Sequence, residues 1–320
     1  MSSFPVLNLP IVAHKVAIRQ LDIGVIIHLS LLYRKFKESV NKFKLRALRF
    51  DLILHNPPCN FMKINLHFHG DVIICFELKE GENRDPWIQK SGNQFIIPCG
   101  RTYGCQEQVL KQLTQSLHEI IRVQKYDFMA TQVSLDSVMN CFIWKFSKKF
   151  RSFTYSQNDV DKVVNSGHLK FLLETITVES MSLTLKTDHN RLEYEPKELK
   201  HNELKLHFKN SILFKTFLKM QCKAVHIGMP TTTSENIVSF VKSWLSGNLE
   251  NLEAFSVEIQ NDIFNERAVF KELADWLIQY PEDHLQHNSI TPCVKHIKRS
   301  DGKVAELKFH FLKKFIFTTI

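Results

Sequence analysis

The segment from Leu9 to Phe36 restricts the fold most, because two predicted helices there are apolar on nearly every side. On a helical wheel, the apolar residues of the first helix fall into three sectors, formed by Ile11 with Ile18 and Leu21, by Val12 with Val16, and by Ala13 with Ala17. A surface helix has a single apolar stripe, so these helices must be covered on more than one side. A module of about 45 residues is too small to cover them alone. The sequence therefore predicts that the rest of the chain or another protein packs against this segment.

The composition indicates a globular protein, with 44% hydrophobic and 23% charged residues. No stretch approaches the roughly 18–20 uncharged apolar residues of a membrane span, and the first residues do not resemble a signal peptide. Seven cysteines, an odd number, do not suggest a secreted disulfide framework. We expect an intracellular protein, cytoplasmic and/or nuclear, with reduced thiols.

The basic character is concentrated near the N-terminus. Residues 34–49 carry seven Lys or Arg and one Glu, so they contribute +6 to the total of +9. Such a run can bind nucleic acid or an acidic membrane surface, but it is more often a solvated helix face. Here the apolar residues that would form the packing side of that helix are Phe36, Val40, Phe43 and Leu48. We therefore expect neither a nucleic-acid partner nor a membrane partner.

The remainder alternates strand and helix patterns. The runs FMKINLHFHG and DVIICFELK predict paired strands, and residues 105–123 predict an amphipathic helix with Val109, Leu110, Leu113, Leu117, Ile120 and Ile121 on its apolar side. Beyond Phe150, SMSLTLK, ELKLHF, KAVHIGM and LEAFSVEI are predicted strands. Between the last two, a helix is expected with Ser234 as its N-cap and Gly247 after its end. A further helix, NERAVFKELADWLIQY, and a closing hairpin follow.

The fold class predicted from these patterns is α+β. Equivalent apolar positions in SMSLTLK, ELKLHF and KAVHIGM recur about every 20 residues, and the step to LEAFSVEI is nearly 30. These intervals are roughly those of leucine-rich repeats. The asparagine ladder of such repeats is absent. We therefore predict three N-terminal helices followed by an irregular leucine-rich-repeat-like α/β stack.

The residue pattern gives little support for a metal site or a catalytic site. His67 and His69 share one strand face, near Cys59 and Cys75, but their spacing fits no common zinc site. The five intervening residues between Cys99 and Cys105 exclude a CxxC motif, so that segment is interpreted as a turn. The chain has no GxSxG, GxxxxGK, HExxH or strand-following GxGxxG motif. We expect a protein that is not an enzyme, with no metal and no cofactor.

The N-terminal segment resembles an F-box, in the form used by a large nematode family that opens FP-x-L-x-LP and continues through LSL. The matching residues are Phe4, Pro5, Leu7, Leu9, Pro10, Val16, Ile18, Leu21, Asp22, Ile26, Leu29, Ser30 and Leu31. The sequence departs from the pattern at His14, Ile23 and the pair Leu32–Tyr33.

A downstream region resembles the type 2 F-box-associated domain of the same family. The resemblance lies between Leu199 and Glu258, and includes Cys222 before a strand, a helix with Trp244, and the strand from Leu252 to Ile259. The last 24 residues also resemble the usual end of these chains. The predicted organisation is an F-box at 1–48, a connecting α/β region at 49–197, an F-box-associated domain at 198–262, and a C-terminal helix with closing strands at 263–320.

The two resemblances together imply a substrate-recognition adaptor of an SCF-type ubiquitin ligase. The F-box would bind a Skp-type linker, and through it a cullin ligase, by Leu9, Pro10, Ile18, Ile26, Leu29 and Leu31. The C-terminal region would bind an unknown target protein, with candidate residues Lys205, His207, His226 and Glu258 on exposed strand positions. The alternative is a ligase-independent interaction scaffold with a degenerate F-box that packs internally.

Overall fold

The chain divides into two compact units. In this computed structural model, unit 1 is residues 1–132 with 140–151, and unit 2 is residues 133–139 with 152–320. The structure describes residues 10–55, 61–80, 88–100, 102–147, 149–157, 163–186, 199, 201–208, 218, 220–229, 232–259, 264–278, 293–310 and 314–320. Both units mix helices with strands, so the chain is a mixed α/β protein.

Unit 1 begins with three short helices, α1 (Ile11–Arg19), α2 (Ile23–Leu32) and α3 (Arg34–Asn41). Asp22 caps α2, because its Oδ1 accepts a hydrogen bond from the Val25 N–H at 3.2 Å. The basic run does not form one long helix: α3 ends at Asn41, and the following strand begins at Leu45. The expectation of a single solvated helix over this run was therefore wrong beyond Asn41.

The sheet of unit 1 follows the helices. Its elements are β1 (Leu45–His55), β2 (Phe61–His67), β3 (Ile73–Glu80), β4 (Gln89–Ser91), β5 (Gln94–Cys99), α4 (Tyr103–Ile120) and β6 (Ile121–Thr131). Within this unit the strand order is β6-β1-β2-β3-β5-β4. The pairs β1–β6 and β3–β5 are parallel, and the pairs β1–β2, β2–β3 and β4–β5 are antiparallel. The predicted β2–β3 pairing is thus confirmed.

The long amphipathic helix of unit 1 is also confirmed, with one difference at its end. Leu110, Leu113, Leu117 and Ile120 are buried on α4. Ile121, which the helical pattern included, instead begins β6. A β-branched residue fits a buried strand as well as a helix, so periodicity alone did not locate this junction.

The rest of unit 1 covers much of the N-terminal helices. α2 packs on α3, and both helices contact α4. The His28 ring lies 5.7 Å from the Phe95 ring of β5, and Lys37 of α3 forms an ion pair with Glu119 of α4 at 2.7 Å. By contrast, Val12 and Val16 of α1 are 72% and 56% exposed. The chain itself therefore covers α2 and leaves an apolar part of α1 in solvent.

After β6 the chain forms α5 (Leu135–Met139), a 3-10 turn (Phe142–Lys145), β7 (Lys149–Ser156), α6 (Ser166–Lys170) and a π turn (Phe171–Thr175). Unit 2 continues with β8 (Thr177–Leu185), β9 (Glu203–Phe208), β10 (Ala224–Met229), α7 (Ser234–Leu245), β11 (Ala254–Ile259), α8 (Glu266–Glu272), β12 (Cys293–Lys298), β13 (Val304–His310) and β14 (Lys314–Thr319). The helix predicted over 265–280 ends at Glu272 and is followed by a 3-10 turn at Ala274–Trp276.

Four parallel strands form the centre of unit 2. β8, β9, β10 and β11 pair in that order, and the closing hairpin β13–β14 adds antiparallel to β11. The hairpin is therefore confirmed, while β12, which pairs with β13, was not predicted. The β12 residues Cys-Val-Lys-His-Ile-Lys mix charged and apolar side chains, which gives a weak strand signal.

Helix α7 packs its aromatic side chains against one face of this sheet. The face consists of Leu204, Leu206, Val225, Ile227, Phe255, Val257, Phe315 and Phe317, all buried. Phe240 stacks on Phe255 with ring centroids 3.9 Å apart, and Trp244 lies edge-on to Phe317 at 5.1 Å. These ring contacts form the core of unit 2.

The ends of α7 correct one detail of the sequence prediction. Thr233, not Ser234, is the N-cap, because its hydroxyl accepts from the Asn236 N–H at 3.3 Å. In turn, the Asn236 side-chain oxygen accepts a hydrogen bond from the Thr233 N–H at 3.0 Å, which completes a capping box. Gly247 follows the helix with φ +87°, as predicted. Among the described residues, no helix combines the length and apolar composition needed to cross a membrane.

The packing predicts that Phe240→Ala lowers the free energy of unfolding by about 3–5 kcal/mol, because it removes a fully buried ring and leaves a cavity. Denaturant unfolding of the whole chain measures this loss. Trp276→Ala is the matched control, since Trp276 is 36% exposed, and should cost less than about 1 kcal/mol. Equal losses in the two variants would contradict the assigned core.

Candidate functional site

The sheet of unit 2 has a second face, which carries polar side chains. Because side chains alternate along a strand, the residues between the buried ones point away from α7. We define the polar face by its residues, namely Ser182 and Thr184 of β8, Lys205 and His207 of β9, His226 and Gly228 of β10, Ser256 and Glu258 of β11, and Lys314 of β14. They line a cavity of about 390 Å³.

Strand register arranges these residues in two rows across the sheet. One row runs Ser182, Lys205, His226, Ser256, and the other runs Thr184, His207, Gly228, Glu258, Lys314. Neighbours in a row come from adjacent strands and are far apart in sequence. Ser180 and Glu203 on the same face are 23 residues apart, and His226 and Ser256 are 30 apart. Only strand pairing brings them together.

Glu203 organises one side of the polar face. Its carboxylate lies 2.8 Å from the Lys205 ammonium and accepts a hydrogen bond from the Ser180 hydroxyl at 2.9 Å. The hydrogen bond from Lys205 is the main cause that lowers the pKa of Glu203. Glu203 therefore stays ionised and holds the Lys205 side chain in place.

His226 lies near the middle of the polar face. Its Nδ1 is 2.7 Å from the Ser256 hydroxyl, and its Nε2 is 4.0 Å from the Glu203 carboxylate. Burial lowers the pKa of His226, as do the positive charges of Lys205 and Lys314, and these effects outweigh the opposing effect of Glu203. At neutral pH the ring is therefore uncharged.

The Ser256–His226 pair has the elements of a nucleophile and a base, but its setting does not suit acyl transfer. Ser256 is 5% exposed and lies in the middle of β11. β11 pairs with β10 on one side and β14 on the other, so ladder hydrogen bonds occupy the nearby backbone N–H groups that would have to form an oxyanion hole. The contact orients the His226 ring and does not assemble a catalytic site.

Gly228 allows His207 to lie flat against the sheet. A Cβ built on Gly228 would overlap the His207 ring, 2.9 Å from its Cε1. Because a glycine inside a strand often marks such a close approach, the run HIGM carried a signal that the sequence analysis did not use. His207 and Glu258 are exposed and form no ion pair with the described part of the chain.

The four predicted target-binding residues all lie on the polar face. Lys205, His207, His226 and Glu258 line the same cavity, although target binding itself stays a prediction. The sequence analysis missed Ser182, Thr184, Gly228, Ser256 and Lys314. The missed residues follow the same alternation as the predicted ones, so an extension of the period-2 pattern to every strand would have found them.

The predicted linker-binding residues differ in accessibility. Pro10 is exposed at the start of α1, and Leu29 and Leu31 are half-buried. Ile18 is 0% and Ile26 3% exposed, so both already pack inside the chain. Leu9 lies outside the described residues. The exposed apolar positions of this region are instead Val12, Val16, Leu32 and Tyr33.

His67 and His69, which the sequence analysis considered as metal ligands, do not lie in a metal-binding arrangement with other described residues. His67 Nε2 lies 2.6 Å from the Asp51 carboxylate and 2.8 Å from the Arg49 guanidinium, while His69 is exposed. Cys59 lies outside the described residues. In the part of the chain that the structure describes, no group of three or more His, Cys, Asp or Glu is placed to hold a metal ion.

Comparison with known proteins identifies the region that builds the polar face. The model of a family described as F-box associated matches residues 196–257. This range contains β9, β10, α7 and β11 up to Val257. The match supports the F-box-associated domain that the sequence resemblance indicates in this region. No curated protein and no solved structure matches the chain.

Gly228→Ala should displace the His207 ring at little cost in stability, because the ring is at the surface and can rotate into solvent. We expect the His207 ring signals in a ¹H–¹³C NMR spectrum to move, with the free energy of unfolding changed by less than about 1 kcal/mol. Unmoved His207 signals would show that the ring does not lie against Gly228.

His226 should titrate below the ordinary range of a histidine pKa, and Lys205→Met should raise its pKa. The variant removes a nearby positive charge and leaves Glu203 free to stabilise the protonated ring. An NMR pH titration of the His226 ring measures both effects. Lys223→Met is the control, since Lys223 pairs with Glu253 and should leave the His226 titration unchanged. A lower pKa in Lys205→Met would contradict the assigned electrostatics.

Proposed function

We propose that this protein is a substrate-recognition subunit of an SCF-type ubiquitin ligase. The observation that carries the proposal is the F-box-associated match, which falls on the strands of the polar face. Domains of this family typically act as adaptors, so a general role in target recognition follows from the match. The ligase, the Skp-type linker and the target are the further steps of the proposal.

The N-terminal helices α1, α2 and α3 are the proposed F-box, at residues 1–48. Three features support this assignment: the resemblance in sequence, the order of three short helices, and the exposed apolar part of α1. Val12 and Val16 are four residues apart on one helix and therefore share a side. An apolar surface that the chain leaves uncovered suits a protein partner.

The polar face is the proposed target-binding surface. It offers Lys205 and Lys314 as cations, Glu258 as an anion, and two histidines, all on rigid strands. Exposed strand positions of repeat-like stacks form extended binding surfaces. We propose that β8 to β11, parallel and covered by a helix on one side, are an irregular leucine-rich-repeat-like stack of the kind expected in nematode F-box proteins.

The mechanism we propose is tethering. The linker holds the adaptor at the ligase, and the polar face holds the target, which raises the effective concentration of target lysines near the ubiquitin donor. The adaptor needs no catalytic group, metal or cofactor for this role. It would act inside the cell, where the ligase is located.

A specific observation favours the alternative of an interaction scaffold. Ile18 and Ile26, two of the predicted linker-binding residues, are already buried within the chain. If the N-terminal helices serve only to complete unit 1, the polar face acts without a ligase. The two proposals differ in whether the exposed apolar residues of α1 contact a linker.

A binding titration of the whole chain against a Skp-type linker distinguishes them. We expect submicromolar binding that Val16→Asp weakens about 10- to 100-fold, because a buried valine contributes about 1.5–3 kcal/mol. Val16 suits the test better than Ile18, because a substitution at an exposed site does not disturb the core of unit 1.

Val163→Asp is the matched control, since it makes the same change at an exposed valine of unit 2. It should leave the affinity unchanged. Absence of linker binding by a folded wild-type chain would reject the ligase proposal and leave the scaffold. Equal effects of the two variants would reject α1 as the contact.

A further inference from the structure

A second cavity lies in unit 1, at the amino-terminal ends of the parallel strands β1 and β6. It has a volume of about 420 Å³ and is lined by Asn41, Lys42, Phe43, Lys44, Arg46 and Arg122. We name it the basic cavity. Four of its six lining residues are cations, and none is an acid.

The backbone fixes the positions of these cations. Arg46 and Arg122 are register partners in the parallel β1–β6 pair, so their side chains leave the same face of adjacent strands. Lys42 and Lys44 lie in the turn that joins α3 to β1. The Lys44 N–H donates to the Val40 carbonyl at 2.9 Å with φ +37° at Lys44, a conformation that favours glycine or asparagine.

These positive charges lack partners among the described residues. Lys42, Lys44, Arg46 and Arg122 form no ion pair with the described part of the chain, and all four are exposed. The acids that lie closest in sequence are engaged elsewhere: Glu38 with Arg34 at 3.0 Å, and Glu119 with Lys37 at 2.7 Å. The fold therefore directs nearby carboxylates away from the cavity.

Helix termini account for part of this arrangement only. α3 ends at Asn41 and α4 at Ile120, and the C-terminus of a helix carries about half a negative charge that attracts cations. Two such termini offset about one of the four positive charges. Like charges on directly adjacent strand positions are destabilising, so the Arg46–Arg122 pair reduces the stability of the unoccupied chain.

We propose that the basic cavity binds a phosphate monoester. A phosphate dianion presents three strong acceptor oxygens, which match two neighbouring guanidinium groups and two ammonium groups better than a single carboxylate does. The volume admits the phosphate together with a small organic group. The site is in unit 1, is formed by other residues than the polar face, and does not depend on the ligase proposal.

The positions of the neighbouring cations disfavour the nucleic-acid backbone as the ligand. The other cations of β1 and β6, Arg49 and Lys125, lie outside the basic cavity and line a separate one. Arg49 is also neutralised by Asp51, 2.7 Å away. A duplex needs a continuous basic surface, whereas these cations converge on one concave site.

The test is calorimetric titration of the whole chain with phenyl phosphate, with benzoate as the monoanionic comparison. We expect saturable binding of phenyl phosphate with a Kd below about 1 mM and much weaker binding of benzoate. Arg46→Gln and Arg122→Gln should each weaken phenyl phosphate binding at least about tenfold, since each removes hydrogen bonds to a charged group. Neither variant should lower the thermal unfolding midpoint, because each relieves a like-charge contact.

Lys125→Gln is the matched control, since it removes one positive charge from β6 at a position outside the basic cavity. An equal loss of affinity in this variant would mean that overall charge drives binding, and would overturn the proposal. The titration is repeated with a short DNA duplex and with vesicles containing anionic lipid. Tighter binding of either, with the same dependence on Arg46 and Arg122, would replace the phosphate monoester by that ligand and overturn the proposal.

Discussion

The stacking of α7 on one face of the parallel sheet determines most of unit 2. Phe240 stacks on Phe255 of β11 and Trp244 packs on Phe317 of β14, on the side where the strand residues are buried. Parallel sheets are usually covered on both faces, so strands with strict alternation of apolar and polar residues are a departure that leaves one face open. Arg299 strengthens the packing, because its guanidinium lies over the Trp244 ring and donates to the Trp244 carbonyl at 3.2 Å. The open polar face exists because the core is complete without it.

The chain covers most, but not all, of the apolar surface of its N-terminal helices. α2 is covered by α3, α4 and β5 of its own unit, and Ile26 and Ile27 are fully or almost fully buried. α1 is covered on the side of Ile18 and leaves Val12 and Val16 in solvent. The cost of exposed apolar area at α1 is modest in an isolated chain, and the same area contributes free energy when a partner covers it.

The two cavities differ in how their charges are compensated. On the polar face, Glu203 neutralises Lys205 and hydrogen-bonds Ser180, so the side chains are ordered before any partner arrives. In the basic cavity, four cations converge without a carboxylate among the lining residues. An ordered, nearly balanced surface suits a protein with matching groups, whereas an uncompensated positive cavity suits a compact anion.

The amino-acid sequence by itself determined the elements with strong periodicity: the amphipathic α4, the paired strands β2 and β3, the alternating strands of unit 2 and the closing hairpin. It also indicated Lys205, His207, His226 and Glu258, because alternation shows which residues leave the core side of a strand. It did not determine the junction of α4 with β6 or the end of α3, where β-branched and basic residues fit either structure. Only the tertiary structure decided the pairing of strands that are not consecutive, such as β1 with β6 and β3 with β5. Strand register, set by packing between strands that are distant in sequence, places Gly228 under His207 and Arg46 beside Arg122.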